Sequence, residues 1–280
     1  MTLSRRPFTK MSGGGNDFVV FDNREGWFPR EDAHERVARL CRRGLGVGAD
    51  AVLLLEEDPE TDFRMVYYNA DGGEAPMCGN GAMCIARYAR LEGILDVESM
   101  RFTTGSGVFR ARVADPASPT VTLWLVPPRD LRLRFHDLER PPYLRVGFVD
   151  TSTPHVVALV DDVEGHDVVG EGARFRREPR WDPPGTNVDF ISTRGRQRIR
   201  MRTFERGVEA ETLSCGTGAT ASAILTCLWG LTEPPVEVET TGGIPLTVEF
   251  TPPAHAGTLP ADPRLTGEAR VIYRGELAEI

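Results

Sequence analysis

Lysine is nearly absent from this chain of 280 residues: of its 33 basic side chains, Lys10 is the only lysine and the other 32 are arginines. A pyridoxal enzyme holds its cofactor on a lysine Schiff base, and a P-loop needs a lysine after its second glycine. Lys10 lies at the extreme N-terminal end, between Thr9 and Met11. The composition therefore argues against pyridoxal chemistry and excludes a P-loop.

Cysteines and long apolar runs are also scarce. The cysteines are odd in number and widely spread, which predicts free thiols in a reducing compartment rather than a disulfide framework: Cys41, Cys78, Cys84, Cys215 and Cys227. Apolar runs such as Ala51 to Leu55 fall far short of the roughly 18 residues that a membrane span needs. The net charge of −8 argues against nucleic acid and anionic membranes as partners. We expect a soluble, cytoplasmic protein without a secretory signal.

The chain contains an internal repeat at an offset of 137 residues. From Glu74 to Gly105, 11 of 32 positions are identical to the positions 137 residues further on, whereas chance would give about two. Cys78 falls on Cys215 in this alignment. An offset of about half the chain predicts the duplication of a whole domain.

Each copy shows a strand, a polar loop, the sequence Cys-Gly-x-Gly-Ala and then a helix. The central helices are predicted from about Asn80 to Leu91 and from about Thr217 to Leu228, with small residues that suit a surrounding sheet. Strands are predicted at Phe18–Asp22, Ala51–Glu56, Phe63–Tyr68, Ser99–Thr104, Val121–Val126, Val156–Asp161, Asn187–Ser192, Ile199–Phe204, Val236–Thr241 and Arg270–Arg274, and surface helices at Arg30–Arg43 and Val163–Phe175.

We therefore expect an α/β (α+β) fold of two pseudo-symmetric domains, each a curved, barrel-like β-sheet around a central helix. The active site is expected in the cleft between the domains. The predicted domains are residues 1–120 and 121–267, and a C-terminal strand at 268–280 is expected to return to the first domain.

The repeat places Cys78 and Cys215 at the starts of the two central helices. The unpaired N–H groups and partial positive charge of a helix N-terminus favour a thiolate. The glycines that follow let backbone N–H groups approach a substrate carboxylate. If a pseudo-twofold axis brings the two sites face to face, one thiolate can remove a proton from a carbon while the opposite thiol returns one. The pattern thus predicts stereoinversion with no cofactor and no metal.

A zinc site, a disulfide and a dinucleotide site are alternative interpretations of these residues. Zinc is disfavoured because Cys78 and Cys84 have no second ligand pair at a suitable spacing. A regulatory disulfide between Cys78 and Cys215 would need the same proximity as catalysis, and it stays open. The run from Gly44 to Gly48 favours a tight turn over a dinucleotide site. The remaining thiols are interpreted as small packing residues: Cys41, Cys84 and Cys227.

Several segments share a recognisable pattern: Met11-Ser-Gly-Gly-Gly-Asn-Asp-Phe18, Asn69 to Gly81, Gly185-Thr-Asn-Val188 and Glu205 to Gly218, together with Gly46 to Asp50, Pro154-His155 and Leu265 to Gly267. With these segments the sequence resembles the diaminopimelate epimerase family of cofactor-independent amino-acid epimerases, nearly from end to end. The resemblance implies conversion of LL-2,6-diaminopimelate to the meso isomer, with Cys78 and Cys215 as the acid/base pair.

The resemblance also implies roles for the residues around the two thiols. The loops Gly79-Asn80 and Gly216-Thr217 would hold the reacting carboxylate, and His155 and Glu205 would help to set the protonation of the thiols. The pocket would be lined by Asn16, Asn69, Asn187, Glu205 and Arg206. No cofactor or metal is implied; the partner would be a small amino-acid substrate and the assembly a homodimer.

Two other functions stay open. The first is a racemase or epimerase of the same superfamily acting on another amino acid, such as histidine or a hydroxyproline. Asn69, Asn187 and Arg206 favour a substrate with a second amino-acid head group, which a proline derivative lacks. The second, less favoured, is a thiol redox sensor or interaction module built on a duplicated fold, which would oxidise reversibly and leave the optical rotation of every amino acid unchanged.

Overall fold

The computed structural model describes residues 5–181, 185–253 and 258–278. The chain divides into two compact units: unit 1 comprises Met1–Leu123 with Gly267–Ile280, and unit 2 comprises Trp124–Thr266. The outer ends of the predicted domains, residues 1–4 and 279–280, lie outside the described residues. The exact domain bounds stay a prediction.

Unit 1 is a curved sheet packed around one helix. Its elements are β1 (Arg6–Gly13), β2 (Asn16–Asp22), α1 (Ala33–Cys41), β3 (Ala51–Glu56), β4 (Phe63–Asn69), β5 (Glu74–Ala75), α2 (Gly79–Leu91), β6 (Ser99–Thr104), β7 (Gly107–Arg112) and β8 (Thr120–Trp124). β1 pairs antiparallel with β2, β2 parallel with β3, β3 antiparallel with β4, β4 parallel with β6, and β6 antiparallel with β7. The central helix α2 lies against β1 to β4 and β7.

Unit 2 repeats this arrangement. Its elements are β9 (Arg129–Arg132), β10 (Tyr143–Asp150), β11 (Pro154–Val160), α3 (Val168–Arg176), β12 (Asn187–Thr193), β13 (Arg198–Glu205), β14 (Ala210–Thr212), α4 (Gly216–Leu228), β15 (Val236–Glu239) and β16 (Leu246–Thr251). Pairing of β10, β11, β12, β13, β15 and β16 follows the same sequence of antiparallel and parallel contacts. A last strand, β17 (Ala261–Leu277), pairs with β16 through its first part and with β1 through its second.

The predicted fold class is confirmed, and the central helices show the duplication most clearly. Each helix has 13 residues, and α4 begins and ends 137 residues after α2. Alanines such as Ala86 and Ala223 are fully buried, because only small side chains let the helix approach the strands this closely. Both helices are therefore enclosed by their own sheet.

The surface helices are shorter than predicted. α1 begins at Ala33 rather than Arg30, and α3 begins at Val168 rather than Val163. In α3 the reason is a cap: the Asp167 carboxylate accepts a hydrogen bond of 2.9 Å from the N–H of Gly170. The run from Gly44 to Gly48 lies in the turn between α1 and β3, as predicted. Among the helices of the described ranges, none is long and apolar enough to cross a membrane.

Candidate active site

Cys78 and Cys215 are the N-cap residues of α2 and α4. Each has an extended backbone, and its Sγ accepts a hydrogen bond from the N–H three residues on: 3.5 Å from Gly81 and 3.4 Å from Gly218. A sulfur thus takes the place of the usual oxygen at an N-cap. Negative charge on either sulfur is favoured by the helix macrodipole and by this N–H donor.

The glycine that donates to each sulfur also lets the helix approach the strand beneath it. A Cβ built on Gly81 would lie 3.1 Å from Leu53 and 3.5 Å from Phe18. A Cβ built on Gly218 would overlap the Oδ1 atom of Asp189. A side chain at Gly218 would therefore displace the Asp189 carboxylate, whereas one at Gly81 would require only a small shift of the Leu53 side chain. The neighbour is apolar in unit 1 and a carboxylate in unit 2.

Two predicted pocket residues of unit 1, Asn16 and Asn80, are joined directly. The Asn80 Nδ2 group donates to Asn16 Oδ1 over 2.9 Å, and Asn16 Nδ2 donates to Asp50 Oδ2 over 3.2 Å. Asn80 Oδ1 is buried and has no hydrogen-bond partner within the described residues. This oxygen packs against Gly14, where an added Cβ would lie 2.4 Å from it.

The single lysine, Lys10, makes buried polar contacts in the same unit. Lys10 is buried, forms a 2.8 Å ion pair with Asp17 and donates to the Gly48 carbonyl. Burial alone would raise the pKa of Asp17, but hydrogen bonds and charge from Arg43 and Lys10 outweigh it and lower the pKa to about 2. Lys10 is therefore a structural cation next to the strand that carries Asn16.

The other two predicted residues of unit 1 occupy different positions. Asn69 ends β4 with an exposed side chain, and its N–H donates to the Gly73 carbonyl over 2.9 Å. Gly79 is the first residue of α2, and a Cβ built there would meet no atom within 4 Å among the described residues. The backbone at Gly79 is thus open to an approaching group.

In unit 2 a fully buried imidazole lies beneath the start of α4. His155 Nδ1 is 2.7 Å from Asp189 Oδ2, and both side chains are 0% exposed. The carboxylate can only accept, so the ring donates. The other oxygen of Asp189 accepts a 2.7 Å hydrogen bond from the Thr203 hydroxyl. Both oxygens of the buried carboxylate are therefore satisfied.

A hydroxyl connects this imidazole to the sulfur. Thr217 Oγ1 lies 2.9 Å from His155 Nε2 and 3.4 Å from Cys215 Sγ. Thr153 Oγ1 lies 3.0 Å from the same ring nitrogen and donates to Thr217 over 3.2 Å. A continuous chain of hydrogen-bonding groups thus runs from Asp189 to Cys215.

Burial would lower the pKa of His155, but the charge and hydrogen bond of Asp189, with a contribution from Cys215, raise it above its ordinary 6.5. The ring is therefore held in its charged form at neutral pH. Burial also raises the pKa of Glu205, against the opposing influence of Thr212 and His155. The positive charge of His155 thus opposes the effect of burial on Glu205.

The side chain of Asn187 is hydrogen-bonded to the main chain of Arg206. Asn187 Oδ1 accepts a 2.9 Å hydrogen bond from the N–H of Arg206, and its Nδ2 donates to the Pro154 carbonyl over 3.1 Å. Asn187 therefore ties the start of β12 to the turn after β13 and to the residue before His155. Gly216 and Thr217 form the first turn of α4 above this group.

The remaining thiols sit in environments that disfavour the thiolate. Burial raises the pKa of Cys41 to about 11 and raises the pKa values of Cys84 and Cys227 as well. This fits the packing role predicted for them.

Sequence reasoning missed two residues of the unit 2 network: Asp189 and Thr203. The available signal was the acid itself, because Asp189 lies between Val188 and Phe190 in a segment predicted as a strand, and all three residues are buried. A carboxylate in such a strand needs a partner.

The sequence comparisons with known proteins indicate a single family. The model of the family described as diaminopimelate epimerase matches residues 8–123 and 147–259. A diaminopimelate epimerase from Chlorobaculum tepidum is 40% identical over 269 residues, covering 95% of this chain and 99% of that protein. One from Gemmatimonas aurantiaca is 39% identical over 280 residues, covering 97% and 99%.

Solved structures share the fold at low sequence identity. A phenazine biosynthesis protein of the PhzF family from Bacillus anthracis superimposes with a TM-score of 0.72 at 14% identity, covering 98% of this chain and 99% of that one. A probable proline racemase from Agrobacterium radiobacter gives 0.66 at 18% identity, covering 98% and 93%. These two likenesses concern the fold alone.

Proposed function

Since this chain belongs to the diaminopimelate epimerase family and is an isomerase, we propose that it interconverts LL- and meso-2,6-diaminopimelate with Cys78 and Cys215 as its acid/base pair. The observation that carries the mechanism is the recurrence of an N-cap cysteine at the start of both central helices. One thiolate removes the α-proton, and the other thiol gives its proton to the opposite face of the carbon. No cofactor takes part in this scheme.

The carboxylate on the reacting carbon is held by the loops Gly79-Asn80 and Gly216-Thr217. Free N–H groups of a helix N-terminus suit an anion, and the open backbone at Gly79 leaves room for one. In this proposal Asn80 acts through its backbone, while its side chain is fixed by the hydrogen bond to Asn16.

The remaining pocket residues recognise the rest of the amino acid. The polar side chains proposed for this role are Asn16, Asn69, Asn187, Glu205 and Arg206. Asn16 is already oriented by Asn80, and the Arg206 main chain by Asn187. An arginine suits a carboxylate and a glutamate suits an ammonium, so the pair Glu205-Arg206 matches an amino-acid head group. His155 and Glu205 help to set the protonation of the thiols.

We also propose a cytoplasmic location and a homodimeric assembly. A catalyst that needs two reduced thiols suits a reducing compartment, and all five cysteines are free in the structure. Sedimentation equilibrium of the reduced protein tests the dimer: a single species of about 31 kDa, the mass of one chain, would contradict it.

The function is tested by incubating the purified, reduced protein with LL-diaminopimelate in D2O and following the meso isomer by NMR. We expect isomerisation with deuterium at the inverted carbon, and a loss of at least about 100-fold in either Cys78→Ser or Cys215→Ser. Cys227→Ser is the matched control, expected to keep wild-type turnover. Turnover on histidine or hydroxyproline but not on diaminopimelate would contradict the substrate, and normal turnover in Cys78→Ser would contradict the mechanism.

A further inference from the structure

The turn between β13 and β14 is one residue longer than its counterpart between β4 and β5. Counted from the aligned glutamates Glu74 and Glu211 back to their strand partners, residues 69–73 lie between in unit 1 and residues 205–210 in unit 2. The longer turn begins with Glu205-Arg206, the two residues proposed for an amino-acid head group. A longer turn has more conformational freedom to lose, so it needs further contacts to present both side chains in fixed positions.

Glu209 has a backbone conformation in this turn that favours glycine. Its φ is 58°, in the left-handed region where a Cβ crowds the following carbonyl. The residue at the same distance before the aligned glutamate of unit 1 is Gly72, whose φ is 90°. Gly72 lies directly on α1, because a Cβ built there would overlap the His34 carbonyl. Unit 1 thus seats its turn on a helix through a glycine, whereas unit 2 has a strained glutamate at that place.

The Glu209 side chain links the turn to α3. Its Oε1 atom accepts a 3.0 Å hydrogen bond from the N–H of Gly207 and lies 3.3 Å from Nε of Arg176, the last residue of α3. The N–H of Glu209 donates to the Glu205 carbonyl over 2.8 Å. One carboxylate oxygen therefore contacts both the middle of the turn and the helix beside it.

Arg176 also contacts the segment that leads into β12. A Cβ built on Gly185 would overlap the Nη1 atom of Arg176, so the guanidinium lies against the main chain two residues before Asn187. Asn187 Oδ1 in turn accepts the hydrogen bond from the N–H of Arg206. The start of β12 and the turn after β13 are therefore joined at two points, once through Asn187 and once through Arg176 and Glu209.

We propose that Arg176 and Glu209 are positioning residues that hold Glu205 and Arg206 ready for the amino-acid head group of the substrate. This inference rests on the proposed function, because it needs Glu205 and Arg206 to bind that head group. Arg176 and Glu209 act through the main chain of the turn. A turn that is already ordered loses less conformational entropy when the substrate binds, so the pair contributes to substrate binding and not to proton transfer.

The steady-state kinetics of LL-diaminopimelate epimerisation test the pair in Arg176→Gln and Glu209→Gln. Glutamine at position 209 keeps an acceptor for the N–H of Gly207 and removes the charge that faces Arg176. We expect KM to rise about fivefold in either variant with kcat unchanged, because the half-exposed ion pair supports binding of ground state and transition state alike. The double variant should also show a rise of about fivefold rather than about 25-fold, since all three variants remove the same ion pair.

Glu209→Gly separates positioning from a general loss of stability. Glycine suits the positive φ but lacks the carboxylate, so the midpoint of urea unfolding should stay the same or rise while KM rises. A fall in the midpoint together with the higher KM would overturn the proposal. Glu233→Gln is the matched control, because it removes the carboxylate of another exposed ion pair of unit 2, with Arg196, and it should leave KM unchanged.

Hydrogen exchange of a peptide containing residues 206–210, measured without substrate, reports on the turn directly. We expect faster exchange in Arg176→Gln and Glu209→Gln than in the wild type and in Glu233→Gln. An unchanged KM in both charge variants, a lower kcat at unchanged KM, effects that multiply in the double variant, or unchanged exchange of the peptide would overturn the proposal. A wild-type protein that does not epimerise diaminopimelate would contradict the proposed function, and the exchange result would still decide whether the pair holds the turn.

Discussion

At the scale of single residues, the charges of unit 1 make a pH-dependent contribution to stability. Asp17 is ionised between Lys10 and Arg43, and its pKa falls from 3.8 to about 2. A carboxyl with a depressed folded-state pKa contributes stability above its unfolded pKa and loses it as the pH falls towards the folded one. The shift corresponds to about 2 kcal/mol.

We therefore expect Asp17→Asn to lower the free energy of unfolding by about 2 kcal/mol at pH 7, measured by urea denaturation. The gap to the wild type should close as the pH falls from 3.8 towards 2, because the wild-type carboxyl then becomes neutral too. Asp96→Asn changes an exposed residue of the same unit and serves as the control. A gap that stays constant with pH would show that the charge of Asp17 is not what stabilises the unit.

The internal repeat pointed to the two cysteines but not to Asp189. Cys78 and Cys215 were predicted to begin the helices because each recurs in a glycine-rich loop, and both do. Their roles, and those of the predicted pocket residues, stay predictions. Asp189 has no counterpart in the repeat, since Leu53 occupies its place, so a search for similarity could not find it. Its partner His155 is 34 positions away along the chain. The two residues come together only because β11 pairs with β12.

At the scale of elements, the two central helices provide a matched pair of substitutions. In Gly81→Ala the new methyl meets the flexible side chain of Leu53 at 3.1 Å, and alanine is the better helix former. In Gly218→Ala the methyl overlaps Asp189, whose oxygens are fixed by His155 and Thr203. Overpacking against a fixed neighbour costs roughly 1 to 3 kcal/mol.

We expect Gly81→Ala to change the free energy of unfolding by less than about 1 kcal/mol and Gly218→Ala to reduce it by about 2 kcal/mol or more. Guanidinium denaturation of both variants under one buffer measures the difference. Equal losses would mean that the Asp189 carboxylate moves aside as easily as a leucine side chain.

The elements that the sequence predicted well are those with a strong local pattern. β3 and β6 have the predicted bounds, and α2 differs from its prediction by one residue. β1 and β10 were missed, although they are equivalent strands at the repeat offset. β1 contains Lys10 and Gly13, and β10 contains arginine and glycine, so neither shows a clear apolar run. Their position is determined by pairing with β17 and β9, which is not a local property.

At the scale of the whole molecule, the offset of 137 predicted the duplication, but the division between the units was harder to place. It falls within β8 and within β17 rather than in a loop. A boundary inside a continuous strand is not a flexible linker, so the composition around it does not mark it. The prediction of a strand at Arg270–Arg274 captured only the part of β17 that pairs with β1.

Because one strand serves both units, two substitutions in β17 should have different effects. Leu265 is buried and pairs with Val248 of unit 2, whereas Leu277 is buried against the core of unit 1 that includes Phe8. Placing a carboxylate at either position costs roughly 2 kcal/mol or more. Since each unit has its own core, hydrogen exchange should report the loss in the unit that carries the substitution.

We expect Leu265→Asp to speed amide exchange chiefly in β11, and Leu277→Asp chiefly in β2, as measured by peptide-resolved mass spectrometry. β2 and β11 occupy equivalent places beside the two central helices, so each is the internal control for the other. Leu144→Asp, at an exposed leucine of unit 2, should leave both strands protected, which separates burial from the mere addition of charge. If both buried variants accelerate exchange equally in β2 and β11, the two units open as one cooperative body. The duplication would then describe the ancestry of the chain and not its folding units.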